Sequence, residues 1–174
     1  MTETRYFATY SRAMPEDFHD GKWVPVSRAN DKKWVTVPWD RTEHAANDPV
    51  SQPRPTPDKP IWTFLFGPAS FVTVTAQLRI TNAQPYCSTH IRLYKVDADE
   101  NRLSLDTGAY EWGILKYETT ASTAHLCGSW QIGAIAEGEK LRVEVDYWNA
   151  TDPAKLGYYI LGGYVQVQYT RGTP

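Results

Sequence analysis

The stretch GSWQIGAIAEGEKLRVEVDYWNATDPAKLGYYILGGYVQVQYT, residues 128–170, decides how the chain folds. Within it Leu141, Val143, Val145 and Tyr147 alternate with Arg142, Glu144, Asp146 and Trp148. A period of two puts one set on a buried face of a strand and the other on the opposite face. Before this strand, Glu137-Gly138-Glu139 places a glycine where a tight turn needs positive φ. After it, Asn149-Ala150-Thr151-Asp152-Pro153 breaks the pattern, and Leu161, Val165, Val167 and Tyr169 then mark the buried face of a further strand. A regular strand this near the C-terminus is expected in mid-sheet, with its neighbours supplied from earlier in the chain.

Working outward, Phe71 to Ile80 gives the clearest alternation: Val72, Val74, Ala76, Leu78 and Ile80 face one way, and Thr73, Thr75, Gln77 and Arg79 the other. Cys87 to Val96 reads as a strand with Ile91 and Leu93 on one face. Asp97-Ala98-Asp99-Glu100-Asn101 forms its hairpin turn toward Leu103-Ser104-Leu105. Weaker strands are expected over Tyr110–Tyr117 and Thr123–Ile132, and another over Lys33–Trp39. Between residues 47 and 60, Pro49, Pro53, Pro55, Pro57 and Pro60 exclude helix and central strand and predict a stiff surface crossing. Short strands separated by turns every 8–12 residues argue an antiparallel β-sandwich or barrel.

A chain of 174 residues suits one domain with a sizeable core. Its 18 basic and 20 acidic side chains nearly cancel, so the predicted partners include no nucleic acid and no anionic surface. No apolar run reaches the roughly 20 residues of a membrane span, and the first residues lack a signal peptide's apolar segment, which predicts assembly in a cytoplasm. Cys87 and Cys127 are the only cysteines, and both fall in expected strands. They read as two small buried or half-buried thiols rather than a disulfide.

Residues 1–32 are less regular, although Arg5–Tyr10 has the makings of a short strand and Lys22-Trp23-Val24-Pro25-Val26 an extended bias. Tyr6, Phe7, Tyr10, Phe18 and Trp23 are unfavourable in water, so this segment is expected to be an arm docking on a neighbouring subunit. The division is then an arm, residues 1–32, and a single domain, residues 33–174.

Catalysis needs converging polar groups, and the sequence offers few. His19, His44, His90 and His125 lack metal-ligand spacing. Asp97-x-Asp99-x-Asn101 resembles the opening of a calcium loop, but Arg102 stands at its glycine position and Gly108 at its closing glutamate. Glu144 and Asp146 share a strand face about 6.5–7 Å apart, within reach of some glycosidase pairs, yet acids on the wet face of a strand explain them as well. Trp148 beside that pair, with Trp112 and Trp130 elsewhere, suits either sugar stacking or a place in the core or a subunit interface. No nucleophile motif or phosphate loop is present, so the chain reads as a non-enzyme without cofactor or metal.

Ile135-x-x-Gly138-Glu139-x-Leu141-x-Val143 followed by Leu161-Gly162-Gly163-Tyr164 resembles the end of the tumour-necrosis-factor and complement-globular-head jelly rolls. Glu139 replaces that family's Asp, and Leu161 its first aromatic. Val37-Pro38-Trp39-Asp40 is similar to the family's first strand, and the cysteine-poor form is most similar to modules of bacteriophage tail and fibre proteins. The resemblance implies an all-β jelly-roll sandwich, homotrimers, and a structural role in a virion assembled in host cytoplasm, with other virion proteins as partners. It places Tyr158, Tyr159, Gly163, Tyr164 and Gln166 at the subunit contact. The alternative is a carbohydrate-binding module contacting a cell-surface glycan through Trp148, Asp146 and Glu144.

Overall fold

The computed structural model describes residues 4–12, 24–26, 34–44, 47, 48, 50, 52–81, 87–101, 103, 112–119, 123–149 and 158–171. At 24–26, 80, 81, 87–90, 112–119, 123, 124, 146–149, 158, 159 and 161 the backbone alone is described. The described elements are strands: β1 Thr4–Arg12, β2 Val24–Val26, β3 Val35–Thr36, β4 Arg41–His44, β5 Ala69–Thr81, β6 Cys87–Val96, β7 Trp112–Thr119, β8 Thr123–Ile135, β9 Lys140–Asn149 and β10 Tyr158–Arg171. They form two antiparallel sheets. One has the order β4-β1-β10-β5-β8, with β2 also on β10, and the other the order β3-β9-β6-β7. The protein is a jelly-roll β-sandwich.

Alternation builds the space between the sheets. Val72, Val74, Ala76 and Leu78 of β5 meet Ile91 and Leu93 of β6 and Leu141, Val143 and Val145 of β9 in one core cluster. Each fully buried aliphatic side chain contributes about 1.5–3 kcal/mol by leaving water. From β10, Val165, Val167 and Tyr169 enter the same core. The last strand lies between β1 and β5, in mid-sheet as its regular pattern predicts. Gly138 has φ 79° in the turn from β8 to β9, where Glu139 donates its amide to the Ala136 carbonyl at 3.2 Å. Its lack of a Cβ suits that backbone.

The N-terminal segment departs from expectation. β1 is no arm reaching elsewhere. Its Thr4–Arg12 backbone pairs with β10 from Arg171 to Gly163 and with β4 on its other side. Ala8 and Tyr10 are buried in the core, with Tyr6 packed against it, because Tyr6, Ala8 and Tyr10 repeat at the strand period. Thr4–Arg12 therefore belongs to the sandwich, and a boundary at residue 33 does not separate arm from fold. Phe18, Trp23 and residues 82–86 and 150–157 lie outside the described residues.

The proline-rich crossing belongs to neither sheet. Thr56 and Lys59 bridge each other within it. Trp39 exchanges backbone hydrogen bonds with Ile61 at 2.8 Å, and Phe64 does so with Leu141 at 2.8 and 2.9 Å. These bridges tie residues 61–64 to Trp39 and to the start of β9.

Candidate functional site

Among the described residues, the outward face of the larger sheet presents rows of exposed and half-exposed side chains. Registers across β1, β10, β5 and β8 align three outward rows. The first is Ser11, Tyr164, Gln77 and Cys127; the second is Thr9, Gln166, Thr75 and Ser129; the third is Phe7, Gln168, Thr73 and Gln131. Every position is exposed or half-exposed. None is Asp, Glu, Lys or Arg in a chain that is 22 % charged, so this face differs from ordinary solvated strand surface. Charges stand at its margin, at Arg5 on one side and Arg79 on the other, while Arg41 and Glu43 occupy the β4 edge. An apolar and hydrogen-bonding centre with a charged rim is the composition of a protein–protein contact. Tyr164 is 38 % exposed and, beyond the third row, Phe71 is 69 % exposed.

Behind this face a polar knot holds the end of β10. Asp48 accepts hydrogen bonds from Arg171 Nε at 2.7 Å and Nη2 at 2.9 Å, from the Tyr169 hydroxyl at 2.5 Å and from the Val50 amide at 2.9 Å. The Arg171 guanidinium also donates to the carbonyls of Phe66, at 2.7 Å, and Pro68. Gln52 links Asp48 to the Phe66 amide. Burial works to raise the Asp48 carboxyl, but the Arg171 and Tyr169 hydrogen bonds, the Val50 amide and the guanidinium charge outweigh it and hold it below the usual range. Burial, and then the hydrogen bond to the Asp48 carboxylate, push the Tyr169 phenol well up. Tyr10 rises to about 12, chiefly through burial and then through the charge of Asp48. Sequence reading missed this knot, and its one visible signal is an arginine next to a buried strand position.

Of the expected contact residues, Tyr164 and Gln166 do share the outward face. Gly163 serves another purpose: a Cβ there would lie 2.2 Å from the Gln77 carbonyl oxygen, so its bareness admits β5 of the same chain rather than a neighbour. The backbones of Tyr158 and Tyr159 pair with Val26 and Pro25, and their side chains are outside the description. Tyr6 and Tyr10 face inward, whereas Phe7 faces out and contacts the His44 ring at a 5.2 Å centroid distance.

The expected glycan contact does not hold at Glu144. That side chain is 1 % exposed, and it accepts from Arg92 Nε at 2.8 Å and Nη2 at 2.6 Å, with Arg142 Nε 2.8 Å away. Arg92 in turn lies 3.7 Å from the Trp34 ring centroid and 4.7 Å from that of Tyr94. The aromatic and guanidinium layer over this strand face turns an outward acid into a buried one. The side chains of Asp146 and Trp148 lie outside the description, and Trp130 is in the core. Cys127 is exposed rather than buried or half-buried and forms no disulfide; the Cys87 side chain is outside the description. Asp97 caps its own hairpin turn, accepting from the Asp99 amide at 2.9 Å and the Asn101 amide at 2.8 Å.

No family model matches the sequence, and no curated protein matches it. Among solved structures, that of Eiger TNF from S. frugiperda is similar over 97 % of this chain and 96 % of its own, with TM-score 0.50 and 12 % identity. The likeness is one of fold.

Proposed function

We propose that this chain is a non-enzymatic assembly protein that associates with itself, as a trimer, through the outward face of its larger sheet, and serves as a structural piece of a bacteriophage virion. The charge-free face around Tyr164 carries the reading. Leaving Tyr164 and Phe71 in water beside neutral Gln and Thr rows has no use in a monomer, whereas a second copy covering them removes apolar surface without stranding a charge. The tumour-necrosis-factor-like fold supports the trimer, and the resemblance of the closing motifs to phage modules supports the virion.

Sedimentation equilibrium of the purified chain tests self-association. The expected mass is three times the 19.8 kDa of one chain, and a strict monomer at high concentration sinks the proposal. Peptides of the chain in purified virions, at a copy number divisible by three, are the expected result for the virion role.

A further inference from the structure

Phe71 is presented in a way that the single chain does not explain. Its φ is 49°, in the left-handed region that a bulky side chain adopts only under strain, and its ring projects into solvent. The β5–β10 register slips beside it, between Gln168 and Thr170. On the β8 side it falls between the pairs Ser70–Ala134 and Val72–Ile132, level with Gly133, where an added Cβ would meet nothing within 4 Å. The irregular strand thus lifts an aromatic ring off an otherwise open patch.

Next to the ring runs a groove of about 710 Å³ lined by Arg5, Phe7, Thr73, Gln168 and Thr170, with Phe71 itself as one wall. Tyr6 and Tyr169, stacked with 5.6 Å between ring centroids, also line it. Arg5 puts a cation on the β1 flank. On the opposite flank, the turn that follows Ile135 carries the exposed acid Glu137.

We infer that the Phe71 ring of one copy seats in this groove of the next, with Glu137 of the first beside Arg5 of the second. This deepens the self-association reading and rests on it. The occupant is a second copy because one face carries both projection and recess, and its two flanks carry opposite charges. Repeated head to tail, this contact closes a ring of three, whereas the same patch turned on its own copy closes a two-fold dimer, and the mass of the assembly distinguishes the two. A strained, exposed aromatic of this kind is also the side chain expected to act as a contact's anchor.

Two variants test it by sedimentation equilibrium: Phe71→Gly, which removes the projection and relaxes the left-handed backbone, and Thr73→Trp, which fills the recess. Each is expected to raise the concentration of half-assembly at least tenfold. The dilute Phe71→Gly monomer is expected to melt at an unchanged or higher temperature. Wild-type assembly with Phe71→Gly assembling equally well overturns this contact while leaving the trimer standing. A Phe71→Gly monomer that melts lower with assembly unchanged also overturns it. A wild-type monomer at every concentration overturns both readings.

Discussion

Asp48→Asn leaves the Arg171 guanidinium, 5 % exposed at its side chain, without its counter-charge. Stranding a buried cation typically costs about 3–5 kcal/mol, so the variant is expected to melt well below wild type at pH 7 by calorimetry. The difference has a defined pH range. Because the fold holds the Asp48 carboxyl below its ordinary value, its contribution is complete above the ordinary carboxylate pKa of about 4 and is lost as pH falls through the lower folded value. The two proteins therefore converge in acid, and a gap persisting unchanged at pH 2 would refute the account. Tyr10 works in the opposite range: raised to about 12, its neutral form favours the fold below pH 10, and stability drains away as pH climbs from 10 toward 12. Two units correspond to roughly 3 kcal/mol, and an alkaline melt that Tyr10→Phe does not blunt would count against it. The knot was not legible in the sequence, since Tyr169 and Arg171 stand 121 and 123 residues from Asp48 and nothing periodic joins them. Glu144 was misread for a related reason. Alternation tells which side of a strand a residue takes, not that Arg92 and Trp34 will cover that side.

At the scale of elements, β5, β6 and β9 were legible because one buried face imposes a period of two on their residues; β6 has the bounds expected of it, and β5 and β9 run only a residue or two longer at each end. β1 carries the same signal in Tyr6, Ala8 and Tyr10, but a short aromatic strand ahead of an irregular stretch does not announce its partner. That partner is β10, at the far end of the chain, and pairing across such a separation leaves no local mark. Removing residues 1–12 is accordingly expected to unfold the domain, because it exposes the β10 edge and deletes Ala8 and Tyr10 from the core. A truncated chain with native circular dichroism and an unchanged melting temperature would contradict this. Gly163→Ala probes the same strand from its other side. A Cβ 2.2 Å from the Gln77 carbonyl and 3.0 Å from Leu78 Cα forces β10 away from β5, with an expected loss of about 1–3 kcal/mol in urea unfolding.

For the whole molecule, the sequence shows that Tyr164 points away from Val165 and Val167, and the structure adds the uncharged rows around it, which become visible only once four strands from distant parts of the chain lie side by side. A face of that kind makes stability depend on concentration. If the native chain associates and the unfolded chain does not, mass action couples melting to assembly. For a trimer, each tenfold rise in concentration above the dissociation midpoint adds about 1 kcal/mol per protomer, or roughly 2–4 °C in a chain of this length. Tyr164→Ala removes an exposed ring from the first row of the face without touching the core, so the dilute protein is expected to melt within about 0.5 kcal/mol of wild type. Its melting temperature should nevertheless stay flat over the concentration range in which that of wild type climbs. Differential scanning calorimetry over a hundredfold range of protein concentration distinguishes the cases. A wild-type melt that does not move with concentration argues for a monomer, and a Tyr164→Ala melt that climbs in parallel with wild type puts the contact on another surface.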